Sequence, residues 1–287
     1  MEKSTILIIG GSGFIGSYIA KSLINKDYSV IATYRTKPQP VEMVDGVVYR
    51  EKFNLEPELI GNIQTVIFAP RPDDPATVVE AFNCFNRLPK LEKIIYLSTF
   101  GLYPDSLEKQ TESAEVVLIS EYQKNKYAEE ISFTEFSQKQ NVKLCIARIS
   151  NPYGDVQDKQ LIGKILKQFE YEKEDFKLNG DGSQLKDFIF IEDTAELISF
   201  LVEYRQETAY EIFNICSSEG HSVNEVISVL ENLLGKKLVF KQTALPEGEK
   251  INSIGDNTKI ITASKYHIRY TLTDGLKKTL EKYAQNS

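Results

Sequence analysis

Cysteine and histidine are scarce in this sequence. Cys84, Cys145 and Cys216 stand far apart, so they form neither a disulfide framework nor a zinc-type spacing. His221 and His267 are too few for a histidine-rich site, and no metal is expected. An excess of basic residues is also lacking. The formal net charge of −7 argues against a nucleic-acid partner, because a phosphate backbone needs a broad basic face. Long apolar runs are missing too. The amino-terminal run "ILII" stops at Gly10, no signal-peptide pattern precedes it, and no stretch approaches membrane-spanning length. A cytoplasmic chain without a membrane partner is the expectation.

What is present describes a globular protein. The 287 residues are 41% hydrophobic and 26% charged, enough for one large α/β domain or for a nucleotide domain with a smaller lobe. "TILIIG" has the β-branched texture of a strand, and "GSGFIGSYIAKSLINK" spaces Ile15, Ile19 and Leu23 as one face of a helix. "YSVIATYR" returns to strand chemistry. Further apolar runs follow at "TVIFA", "KIIYLS" and "VKLCIARI", separated by helical or loop stretches. This alternation predicts an α/β fold with a doubly wound parallel sheet of the Rossmann type.

After Ile149 the texture changes. The turn-rich "SNPYGD", a charged helix around Leu161 to Glu172 and the loop "LNGDGSQ" introduce shorter elements. "DFIFI" then reads as a strand leading into a helix, and "SVNEVISVLENLLG" as an amphipathic helix with a glycine stop. The expected division is a nucleotide-binding domain over residues 1–150 and a smaller α/β substrate-binding lobe over 151–287, with 187–203 returning to the large sheet.

The strongest motif is "GGSGFIG". Gly10, Gly13 and Gly16 sit where a hydrophobic strand turns into an amphipathic helix, with Ser12, Phe14 and Ile15 between them. Glycine permits a tight turn there, and the helix amino terminus offers unpaired N–H groups and a positive dipole end to a pyrophosphate. The second strand selects the dinucleotide. An acid at its end would accept hydrogen bonds from an unphosphorylated ribose; "ATYRTK" has none and places Arg35 and Lys37 where a 2′-phosphate would lie. NADP(H) is expected, with NAD(H) possible.

A second pattern lies in "SEYQKNKYAEE". Tyr122 and Lys126 form the one Tyr-x-x-x-Lys of the sequence, 23 residues after Thr99. Together with "GGSGFIG" this resembles the extended short-chain dehydrogenase/reductase family, the nucleotide-sugar epimerases, dehydratases and reductases. "KIIYLSTFGLY" is similar to that family's strand ending in a Ser-Ser/Thr pair, and "IARISNPYG" to its Arg-x-x-Asn-x-Tyr-Gly segment. "LNGDGSQLKDFIFIEDTA" and "FNICSSEGHSVNEV" resemble two further blocks in the same order. The resemblance implies a catalytic set of Thr99, Tyr122 and Lys126, an adenine clamp at Asn54 and Leu55, and backbone passing under the cofactor at Ala69. It also implies substrate contacts at Thr99, Arg148, Asn151 and Lys186, and a homodimer. Three departures bear on the substrate: Pro70 removes a backbone donor near the cofactor, Lys186 replaces an arginine, and no arginine stands near "PEGEKINSIGD".

A phenol with a pKa near ~10 is a poor proton carrier at neutral pH, and an adjacent ammonium lowers that barrier. The expected reaction is NADPH-dependent reduction of a nucleotide-linked 4-keto sugar, a 6-deoxy hexose or a heptose destined for surface polysaccharide. Tyr122 would protonate the forming alkoxide, Thr99 would hold it, and Lys126 would hold the nicotinamide ribose and the phenol. An NAD(P)-dependent nucleotide-sugar 4-epimerase is the first alternative, and a non-catalytic NADP-binding regulator the second. Dehydratases of the family carry Asp-Glu after the catalytic Thr; "TFGLY" has no acid there.

Overall fold

The structure is a computed structural model that describes residues 4–39, 43–70, 76–155, 160–171, 177–246 and 249–286. In chain order its elements are β1 (Thr5–Ile9), α1 (Phe14–Asn25), β2 (Ser29–Tyr34), β3 (Val48–Glu51), α2 (Pro57–Ile60), β4 (Ile63–Phe68), α3 (Ala76–Phe85), β5 (Lys93–Thr99), α4 (Glu121–Gln140) and β6 (Lys143–Ile149). They continue with β7 (Asn151–Tyr153), α5 (Leu161–Tyr171), β8 (Lys177–Asn179), β9 (Leu185–Phe190), α6 (Ile191–Glu203) and β10 (Tyr210–Ile215). The chain ends with β11 (Gly220–Ser222), α7 (Val223–Leu234), β12 (Lys241–Thr243), β13 (Asn252–Ser253), α8 (Thr258–Ser264) and α9 (Leu272–Asn286). Two compact units emerge, one of residues 1–99, 121–148 and 195–213, the other of 100–120, 149–194 and 214–287.

The first unit is built on a seven-strand sheet of order β10-β6-β5-β4-β1-β2-β3. The pairings from β3 through β2, β1 and β4 to β5 are parallel. Strand order reverses between β1 and β4, the switch point of a doubly wound sheet, and folds of this kind bind ligands beyond the strand carboxyl ends at that point. Both faces of the sheet are covered, which is why the strands read as unbroken apolar runs. On one face Leu7, Ile9, Val66, Phe68, Ile94, Tyr96, Leu144 and Ile146 pack with Phe85 of α3 and Phe133 and Phe136 of α4. Phe133 lies 4.9 Å from the Phe68 ring and 4.6 Å from that of Tyr96. Full burial of each such phenylalanine is worth roughly 1.5–3 kcal/mol. The opposite face buries Ile6, Ile8, Val30 and Ala32, and the buried side of α1 consists of Gly16, Ile19, Ala20, Ser22 and Leu23.

In the second unit β9 is the hub. It pairs antiparallel with β11, and parallel with β13 and β7, while β8 and β12 form a separate two-strand ribbon. Ser222 caps α7 by accepting the Glu225 N–H at 3.0 Å, and Gly235 ends that helix in the left-handed region at φ 63°.

The expected return of 187–203 to the large sheet is corrected. The strand "DFIFI" lies in β9 and pairs within the second unit; only the helical part from Ala195 groups with the first unit, and the strand that joins the large sheet is β10. Residues 100–120 also group with the second unit, so the division is not a single cut near residue 150. Periodicity reports that a strand is buried, not which neighbour buries it.

Candidate active site

The glycine loop lies at the carboxyl ends of β1 and β4. Gly10 adopts φ +79°, and a Cβ there would come within 3.2 Å of the Pro70 nitrogen. At Gly16 a Cβ would fall 2.4 Å from the Gly10 carbonyl oxygen, so the first turn of α1 can approach the loop only as glycine. Thr33 fixes the loop from β2: its Oγ1 accepts the Gly10 N–H at 3.1 Å and its carbonyl accepts the Ser12 N–H at 3.4 Å. Gly13 caps α1 and donates to the Gly10 carbonyl at 3.1 Å, leaving the N–H groups of Phe14, Ile15 and Gly16 to lead the helix without intrahelical partners. Such a terminus, pressed against a loop that excludes side chains, fits a dinucleotide pyrophosphate. Ala69 donates to the Ile9 carbonyl at 3.0 Å and so runs directly beside the loop.

Arg35 and Lys37 are exposed just beyond β2. Lys52 was not singled out in the sequence, yet its N–H donates to the Tyr34 carbonyl at 2.8 Å, which brings a third basic residue to the end of β2. Asn54 and Lys52 line a groove of about 420 Å³ with Phe53, Glu80, Asn83 and Arg87. Leu55, expected beside the adenine, is 4% exposed with its side chain in the hydrophobic core, so only its backbone is placed to meet a ligand.

Thr99 ends β5, while Tyr122 and Lys126 occupy successive turns at the start of α4. The helix packs on the strand, and Lys126 Nζ donates to the Leu97 carbonyl at 3.2 Å, two residues before Thr99. Tyr122 is half exposed, whereas Lys126 is 4% exposed. The lysine is heavily tied. Its ammonium also donates to Tyr96 Oη at 3.1 Å and to Glu129 Oε2 at 3.3 Å, and Tyr96 Oη in turn donates to Glu129 Oε2 at 2.5 Å. Burial lowers the Lys126 pKa below that of a free amine, opposed by the Glu129 and Glu130 carboxylates. Burial raises the Tyr96 pKa, reinforced by Glu129, so Tyr96 stays a neutral phenol.

Arg148 is corrected as a substrate contact. It is 3% exposed and clamps Glu130 through Nε at 3.0 Å and Nη2 at 2.7 Å, tying β6 to α4 within the first unit. In the second unit, Asn151 donates to the Asp187 carbonyl at 2.9 Å, and Lys186 pairs with Glu249 at 2.5 Å. Beside Lys186, Lys250 donates to the Gly101 carbonyl at 2.7 Å, and its pKa is lowered to about 8 by burial and then by the Lys186 charge. No group of acids, histidines and cysteines able to hold a metal occurs among the described residues.

The glutamates behind Lys126 escaped the sequence reading. Glu130 stands four residues after Lys126, a spacing that places both on one helix face, but its partner Arg148 lies a strand away. Thr33 looked like any inward strand residue.

Comparison with known proteins places these features in a wider group. The NAD dependent epimerase/dehydratase family matches over residues 6–60 and 75–216. A putative UDP-glucose 4-epimerase of Methanocaldococcus jannaschii is 26% identical over 80% of this chain and 82% of its own length. The dTDP-4-dehydro-6-deoxyglucose reductase of Escherichia coli is 26% identical over 83% of this chain and 84% of its own. In fold, the chain is similar to the UDP-glucuronic acid 4-epimerase of Bacillus cereus, solved with UDP-glucuronic acid and NAD. That match has a TM-score of 0.85 and 22% identity over 99% of this chain and all of the other.

Proposed function

The chain belongs to the NAD dependent epimerase/dehydratase family, an extended short-chain dehydrogenase/reductase group of NAD(P)-dependent enzymes, and on that footing we propose that it reduces a nucleotide-linked 4-keto sugar with NADPH. The observation that carries this reading is the end of β2: the strand itself closes without an acid, Arg35 and Lys37 follow it exposed, and the Lys52 backbone is joined to Tyr34, with Glu51 of β3, the register partner of Tyr34, as the acid on the neighbouring strand. Cations there suit a 2′-phosphate, and an acid would repel one. A net reductase exchanges its cofactor at every turnover and commonly draws on NADPH.

The glycine loop and the first turn of α1 would hold the pyrophosphate, with Asn54 at the adenosine end. A nicotinamide cofactor bound there would supply the hydride for the carbonyl carbon. Tyr122 gives its phenolic proton to the carbonyl oxygen as that oxygen becomes an alcohol, and Thr99 donates a hydrogen bond to the same atom. The positive charge of Lys126, one turn along α4, favours the phenolate that Tyr122 leaves behind. Asn151 and Lys186 are assigned to the substrate on the family motif alone, and the sugar is a 6-deoxy hexose or heptose for surface polysaccharide. The working form is a cytoplasmic homodimer, checked by light scattering; no described helix is long and apolar enough to cross a membrane.

The names of two similar proteins support a second reading, a nucleotide-sugar 4-epimerase that retains its cofactor. Purified protein incubated with NADPH and a panel of nucleotide-linked 4-keto sugars separates the two. Stoichiometric loss of NADPH absorbance with formation of the alcohol is expected. Interconversion of nucleotide sugars without net cofactor consumption would replace the reductase by the epimerase.

A further inference from the structure

The acid behind the lysine has no part in the chemistry set out so far. We propose that Glu129 is a positioning residue, whose carboxylate acts with the Tyr96 hydroxyl to hold the Lys126 ammonium in place and keep it charged. The proposal rests on Lys126 being the lysine of the candidate site.

Lys126 carries its charge into a nearly dry interior. Its Nζ reaches the Leu97 carbonyl, Tyr96 Oη and Glu129 Oε2, and lies 4.9 Å from the centre of the Tyr96 ring. Phe133 stacks on that same ring and adds hydrocarbon to the surroundings. Of the three polar contacts only Glu129 brings a full negative charge. The other groups around the ammonium have different commitments. Glu130, on the same helix, is neutralised by Arg148 of β6 in a two-point ion pair. Tyr96 of β5 donates a hydrogen bond to Glu129 and accepts one from Lys126, so it is fixed as a neutral link between them. Tyr122, one turn earlier on α4, is half exposed.

An unpaired ammonium in such surroundings sheds its proton, and a hydrogen-bonded carboxylate at 3.3 Å opposes that loss. Glu129 lies three residues from Lys126 with a side chain 12% exposed, so solvent screens the pair poorly. A neutral lysine could neither favour the Tyr122 phenolate nor remain aligned by charge, and Glu129 therefore acts on Tyr122 through Lys126.

The test follows the lysine directly and needs no sugar substrate. In protein carrying 13C-labelled lysine, the Cε resonance of Lys126, assigned by its loss in Lys126→Arg, is titrated in wild type, Glu129→Gln and Glu129→Asp. The midpoint in Glu129→Gln is expected to fall by about one pH unit or more, a tenfold gain in acidity, with Glu129→Asp staying near wild type. An unchanged midpoint in Glu129→Gln overturns the proposal. Circular dichroism reports folding; if the Gln variant does not fold, Glu129→Ala is titrated against the same criterion. Turnover on nucleotide sugars does not enter this measurement, so a failed reductase assay leaves its outcome intact.

Discussion

Buried carboxylates serve the two units in opposite ways. In the first, Glu129 and Glu130 face cations: Glu129 pairs with Lys126 within α4, and Glu130 pairs with Arg148 and so binds α4 to β6. In the second, Asp187 is wholly buried and forms no ion pair among the described residues. Ser150 Oγ, the N–H and Oγ of Ser217, and the N–H groups of Ser218 and Gly255 all donate to it, at 2.8–3.2 Å. Burial raises the Asp187 pKa and these donors oppose the rise. Asp193 repeats the arrangement with Tyr266 and the N–H groups of Arg269 and Tyr270, adding a longer contact from the Arg269 guanidinium. An ion pair depends on one partner, whereas a cage of dipoles spreads the same task over segments far apart in sequence. The first arrangement leaves a charge near proposed chemistry; the second stitches together a unit of short strands.

The largest test separates chemistry from architecture in the first unit. Tyr122→Phe is expected to cut turnover roughly 100- to 10,000-fold. Cofactor affinity, read by fluorescence titration, should hold, and stability should stay within about 0.5 kcal/mol because the side chain is half exposed. Full activity in that variant would remove Tyr122 from the mechanism and leave the charged cluster as mere scaffolding.

Next in size is the ion pair. Arg148→Met strands the buried Glu130 carboxylate and should cost about 3–5 kcal/mol in denaturant unfolding, whereas Arg148→Met with Glu130→Leu should recover most of the loss. A single variant as stable as wild type would show that the clamp is not all-or-none. The cage should behave otherwise. Ser217→Ala removes one donor and leaves four, so a loss of only about 1–2 kcal/mol is expected, measured in the same way. A loss matching that of Arg148→Met would erase the distinction.

The smallest effect concerns an amine that has neither kind of support in full. Lys250 has a carbonyl partner and a like-charged neighbour, and its pKa of about 8 lies below the unfolded value of 10.5. Between those values the unfolded chain holds the proton and the native chain does not, so this group makes the fold more stable as pH rises from 8 towards 10.5. Amine acylation followed by mass spectrometry should show Lys250 half-reactive near pH 8, and Lys186→Met should move that midpoint upward. A midpoint near 10.5 would mean that the amine is solvated.

The fold of the first unit was largely legible because its cause is local and periodic. Strands buried on both faces appear as apolar runs, α1 announces itself by Ile15, Ile19 and Leu23, and a glycine loop between them needs no long-range information. Thr99, Tyr122 and Lys126 were legible as a spacing. Motif position does not report side-chain partners: the Leu55 side chain packs in the core, and Arg148 turns to Glu130.

By itself, then, the sequence determined the αβ alternation, the dinucleotide loop and the residue types available for proton transfer, since each follows from neighbours a few positions apart. Only the tertiary structure decided that β9 leaves the large sheet and β10 joins it, that Lys52 reaches the end of β2, and that Glu129 and Tyr96 enclose Lys126. These outcomes turn on which surface meets which across tens of residues, and on how strongly a charge removed from water requires a partner.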